Sequence, residues 1–140
     1  MPFMLMGNLQ LHGEIMKKYV FPILILMSNV AWAITPQQML QSYETASGKA
    51  STARGQQFFN SKHGQEWSCS NCHSIIPNKA TEHVVTGKSI EALAPSANAK
   101  RFSDPAKSEK WFKRNCKDVL SRECSTQEKA DVLAWLLTVK

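Results

Sequence analysis

Cys69-Ser70-Asn71-Cys72-His73 restricts this chain more than any other stretch. Two thiols three positions apart on one helical turn can add to the two vinyl groups of a single porphyrin. The histidine that follows is then held beneath the metal as its proximal ligand. Three other readings of Cys-x-x-Cys fit less well. A zinc site needs four ligands at suitable spacing, and Cys116 and Cys124 lie far downstream with no histidine beside them. A thioredoxin-like pair would follow a β-strand, whereas Phe58 through Ser68 shows no strand alternation. A plain disulfide leaves His73 unexplained. The motif therefore predicts one covalent haem c, attached at Cys69 and Cys72 and ligated by His73.

The pattern around the motif is helical. Thr35, Pro36 and Gln38 form an N-terminal signature, Met39, Leu40 and Tyr43 an apolar stripe, and Gly48 a stop. A second helix is predicted over about 52–60 and a polar loop over 61–68. Residues 81–99, rich in small side chains with Gly87 and Pro95, read as loop with one turn near 90–93. A third helix starts at Pro105, capped by Ser103 or Asp104, and runs to about Leu120. Ser125-Thr126-Gln127-Glu128 is a capping box opening the last helix, with Val132, Leu133, Leu136 and Leu137 on its buried face. With no strand pattern and no repeat, the fold class is all-α.

Residues 16–33 read as a secretory signal: Lys17-Lys18, an apolar run from Val20 to Val30, and Ala31-Trp32-Ala33 as the cleavage site. The apolar run is too short to span a bilayer. Residues 1–15 carry no Lys or Arg and read as an over-extended start, with a longer functional leader as the alternative. Cleavage after Ala33 would leave residues 34–140 as one cytochrome domain in the periplasm, with 15 basic and 10 acidic side chains. That excess is too small to argue for nucleic acid, and along the sequence the basic residues look scattered. A salt-sensitive encounter with an acidic redox partner suits such a surface. Export into an oxidising compartment also permits a disulfide. Once haem takes two thiols, Cys116 and Cys124 are the remaining pair, two free buried cysteines being the alternative.

Composition limits the ligand opposite His73. All six methionines precede Cys69, and only Met39 lies beyond the cleavage site, so a downstream methionine is excluded. His63, His83, Lys113 and Lys117 remain as candidates from the residues alone.

Gly55 with Phe58-Phe59 ahead of the motif, and a last helix carrying Trp135, resemble class I cytochromes c, in which the first and last helices cross. Thr86-Gly87-Lys88, Leu93-Ala94-Pro95-Ser96, Arg101-Phe102, Glu109-Lys110-Trp111, Arg114-Asn115-Cys116 and Glu128-Lys129-Ala130-Asp131 together resemble the sphaeroides haem protein family, SHP. The resemblance spans about residue 35 to the C-terminus. It implies a class I-like fold around one haem, a disulfide between Cys116 and Cys124, and Asn115 as axial ligand of the oxidised iron. It also implies a dihaem cytochrome c as electron donor, with a membrane b-type cytochrome upstream.

An amide is a weak ligand that a reduced, less positive iron releases. The expected function is therefore a periplasmic monohaem cytochrome that accepts an electron, frees Asn115, and binds or converts oxygen, nitric oxide or a related nitrogen species. Phe102, Trp111 and Phe112 are pocket candidates, although at helical spacing such residues more often form plain core. The alternatives are an electron carrier with a permanently six-coordinate iron and a haem-based gas sensor.

Overall fold

The computed structural model describes residues 33–64 and 66–140. The expected signal peptide and over-extended start, apart from Ala33, lie outside the described residues. Five helices carry the fold: α1 (Pro36–Ser47), α2 (Thr52–Asn60), α3 (Cys69–His73), α4 (Pro105–Leu120) and α5 (Thr126–Leu136). Their starts follow local chemistry. Thr35 and Gln38 close a reciprocal capping box on α1, Ser51 accepts from the Arg54 amide at the start of α2, and Asp104 rather than Ser103 caps α4. Ser125 and Glu128 form the box on α5.

The close crossing is made by α2, the second helix of the described chain, against α5, with α1 also packed on α5. Gly55 permits it: a Cβ there would lie 1.9 Å from the Asp131 carbonyl oxygen. The Asp131 carboxylate fastens the same crossing, accepting from the Ser51 amide at 2.7 Å, from Arg54 at 2.7 and 2.8 Å and from Gln127 at 3.0 Å. Met39 and Tyr43 from α1, Phe59 from α2 and Leu133, Trp135 and Leu136 from α5 bury one another beneath this crossing.

A second, smaller cluster joins Cys116, Leu120 and Cys124, with Phe58 and Phe112 bordering both clusters. The disulfide Cys116–Cys124 forms here, with Cα atoms 5.6 Å apart. The alternative of two free cysteines is thereby set aside. A third tie comes from Glu109 on α4, which accepts from the Tyr43 hydroxyl and from Lys129 at 2.6 Å.

Two expectations for residues 81–99 are corrected. A two-stranded antiparallel hairpin pairs β1 (Thr81–Glu82) with β2 (Ser89–Ile90), and the turn lies at Ala94, whose carbonyl accepts from the Ala97 and Asn98 amides, instead of at 90–93. The rest is loop with fixed anchors. Pro77 is fully buried and its carbonyl takes the Leu93 and Ala94 amides at 3.0 and 2.9 Å. Arg101 bonds the carbonyls of Ala92 and Glu91, both at 2.9 Å.

Candidate haem site

Ser68 and Asn71 build α3: the Asn71 side-chain oxygen accepts from the Ser68 amide at 2.7 Å and its hydroxyl at 2.8 Å. That closes the first turn and places Cys69, Cys72 and His73 within five residues of helix. The Thr81 hydroxyl donates to the Cys72 carbonyl at 2.6 Å, tying the hairpin to the helix end. Ser74, next after His73, has φ 68° and ψ 157°, a backbone region that non-glycine residues rarely enter.

Among the described residues Cys69 and Cys72 are the cysteines outside the disulfide. Burial pushes the Cys69 thiol up to about 11, which keeps it protonated and slow to oxidise. His73 packs against Phe59, ring centres 6.1 Å apart, and Phe59 against Trp135 at 5.0 Å. Burial, aided by the nearby Arg101 charge, pushes the His73 imidazole down to about 4. A neutral imidazole is the form that binds a metal.

Large apolar side chains face solvent on three segments: Ile75 and Ile76, directly after α3, are 67% and 59% exposed, Val84 and Val85 in the hairpin turn 48% and 72%, and Trp111 on α4 44%. Two uncommitted thiols, a neutral imidazole and the uncovered Ile75 and Ile76 fit a porphyrin as a group.

The structure gathers Cys69, Cys72 and His73 on one helix and places Asn115 elsewhere. Asn115 lies on α4, exposed, one position before the disulfide-bonded Cys116 and one turn after Trp111. Phe112, three residues earlier, packs on the same core as Cys69 and touches Tyr43 and Phe102, with ring centres at 6.3 and 6.0 Å. Of the other sequence candidates, His63 donates from Nε2 to the Phe58 carbonyl at 2.7 Å and packs on the Phe58 ring. His83 caps the hairpin turn, its Nδ1 accepting from the Val85 and Thr86 amides at 3.2 and 3.3 Å. Lys113 pairs with Glu123 at 3.0 Å. Each of these three already has a structural partner, whereas Lys117, the fourth candidate, is exposed on α4 with no ion pair among the described residues.

Residues 45–136 match the sequence profile of the family described as a domain of unknown function, DUF1924. The chain is 43% identical over 107 residues to the cytochrome c-type protein SHP of Cereibacter sphaeroides, covering 73% of this chain and 82% of that protein. It belongs to the SHP family of c-type cytochromes. A structure of oxidised SHP, described as an oxygen-binding cytochrome c, superposes with a TM-score of 0.69, covering 74% of this chain and 96% of that one. Cytochrome c'' of Methylophilus methylotrophus is 35% identical over 130 residues, covering 85% of this chain and 90% of that protein. Its oxidised crystal structure superposes with a TM-score of 0.66, covering 75% of this chain and 94% of that chain. Like its SHP relatives, this all-α chain is a c-type cytochrome with a single covalently bound haem.

Sequence reasoning gave no role to Arg101 or Glu109, which hold the loop and α4 in place around the candidate ligands. Their signal was present only as unexplained parts of the family motifs. The impression of scattered basic residues is also corrected, because α4 alone carries Lys107, Lys110, Lys113, Arg114 and Lys117.

Proposed function

We propose that this protein is an exported cytochrome in which Cys69 and Cys72 form the thioether links, His73 is the permanent axial ligand, and Asn115 is a displaceable one. In the oxidised state Asn115 would fill the position opposite His73, and on reduction it would leave that position to oxygen, nitric oxide or a related small species. The haem supplies the one-electron couple and the metal that takes the ligand. His73 stays neutral through burial and the neighbouring Arg101 charge, so it can bind without first losing a proton.

Asn115 carries no charge, so it would be a weak ligand to an iron. The adjacent disulfide fixes the backbone beside it, so a freed amide would stay close enough to donate a hydrogen bond to the incoming ligand. One observation carries the reading: Asn115 is uncommitted on an exposed helix face, while His63 and His83 are each engaged by backbone groups. Support also comes from the relatives, since SHP is described as oxygen-binding and cytochrome c'' has been studied for haem-ligand detachment.

The electron would come from a dihaem cytochrome c in the periplasm, and an N-terminus at Ile34 on the purified protein would verify export and cleavage. Asn115→Val tests the ligand. The oxidised visible spectrum should change from low-spin to high-spin, while the reduced protein still binds carbon monoxide. An unchanged low-spin spectrum in the variant removes Asn115 from the site.

A further inference from the structure

Helix α4 has a charge distribution unlike any other described helix. Lys107, Lys110, Arg114 and Lys117 fall at i, i+3, i+7 and i+10, which places them in one stripe along the helix. All four are exposed, and none forms an ion pair among the described residues. By contrast α1 and α3 carry no Lys or Arg, and α2 and α5 carry one each, Arg54 and Lys129, both paired with carboxylates.

The carboxylates nearest the stripe are turned to other uses. Glu109 faces Tyr43 and Lys129, Glu123 pairs with Lys113, and Glu128 is held by Arg122 at 2.6 Å. Asp118 and the capping Asp104 are the acidic groups left on or beside this face, so a positive excess remains. Trp111 lies at the stripe's edge with the Arg114 guanidinium 5.6 Å from its ring centre. Exposed Trp and Arg side by side are the residue types that dominate binding energy at protein interfaces.

We infer that this face of α4 is the docking surface for an acidic electron-donating protein, whose carboxylates meet Lys107, Lys110, Arg114 and Lys117 around Trp111. The inference rests on the proposed redox function and adds the place and charge of the partner. Charge complementarity selects the occupant. Four unpaired cations on one rigid helix repel a second copy of the same face, whereas an acidic protein is both attracted and oriented by it. Docking here would also bring the partner beside Asn115, the residue proposed to respond to reduction.

Flavodoxin, a small acidic flavoprotein, serves as the probe. Its flavin hydroquinone passes one electron to the oxidised haem protein and becomes the semiquinone, and stopped-flow absorbance gives the second-order rate constant. Lys110→Glu/Arg114→Glu is compared with Lys49→Glu/Lys140→Glu, an equal charge change on other elements. At low salt the α4 pair should lower the rate about tenfold or more and flatten its dependence on ionic strength, with the control pair changing it by less than about threefold. Reduction by the uncharged semiquinone of a free flavin should be equal in all three proteins, showing an intact haem site. Equal slowing by both pairs, or no slowing by the α4 pair, overturns the docking surface while leaving the Asn115 reading in place. Failure of the parent protein to be reduced by either donor overturns both.

Discussion

The α2–α5 crossing and helix α4 border the same core but are held in opposite ways. At the crossing the backbones themselves meet, Gly55 against the Asp131 carbonyl, and a buried carboxylate with four donated hydrogen bonds fastens the pair. Helix α4 approaches through side chains: Phe112 and Leu120 pack inward, a disulfide secures its last turn, and Glu109 ties its first half to Tyr43 and Lys129. The crossing supplies Phe59 and Trp135, the aromatic support of His73. Helix α4 supplies Asn115. The ligand proposed to stay leans on the packed crossing through Phe59, and the ligand proposed to leave sits on a tethered helix.

This contrast is most severely tested at Gly55. Gly55→Ala puts a methyl group into the Asp131 carbonyl, and pushing two backbones apart should cost about 3 kcal/mol or more. An unchanged urea midpoint would show that the helices can slide, and the contrast would dissolve. Removing the tether comes second. Cys116→Ser/Cys124→Ser opens a short loop and should cost about 2.5 kcal/mol. Hydrogen exchange should quicken in 105–120 with α2 and α5 unaffected; equal loss across all three helices would mean that α4 is not separately held.

The smallest effect concerns pH. Burial alone would raise the Asp131 carboxyl, but the bonds from Arg54, Ser51 and Gln127 outweigh it and hold the group below the usual carboxylate range. A carboxyl lowered on folding contributes its full stability above its unfolded pKa, about 3.9 for Asp, and loses it as pH falls towards and through the lower folded value. Asp131→Asn should therefore flatten part of the acid limb of a stability profile below about pH 4. Glu109 and Glu128, also held low, contribute to that limb. An identical acid limb in parent and variant would show that Asp131 does not fasten the crossing through its charge.

The four longer helices were legible, three of them because their starts are written locally in Thr35, Asp104 and Ser125, with Gly48 as a stop, whereas the Ser51 cap of α2 went unread. The hairpin was not. Two-residue strands leave no alternation to read, and the turn between them is closed by His83 Nδ1, whose sequence neighbours give no hint of it. The basic stripe was hidden for a different reason: charges that look scattered along a line align once the helical period is applied. Cys69, Cys72 and His73 announced a cofactor by adjacency. Asn115 became visible only through resemblance, since an exposed asparagine next to a disulfide has no local signature of a ligand.

The bond between Arg54 and Asp131 links residues 77 positions apart. A contact of that separation closes most of the described chain into one loop, and its entropy must be met before the crossing returns any stability. Residues 69–73 lie inside that loop. Until α5 has docked on α2, Gly55 has no neighbour at its α-carbon and His73 no Phe59–Trp135 pair to lean on. The long-range closure and the backing of the haem segment therefore share one element: Trp135 on α5 reaches His73 through Phe59, so that support exists only while the last helix is docked.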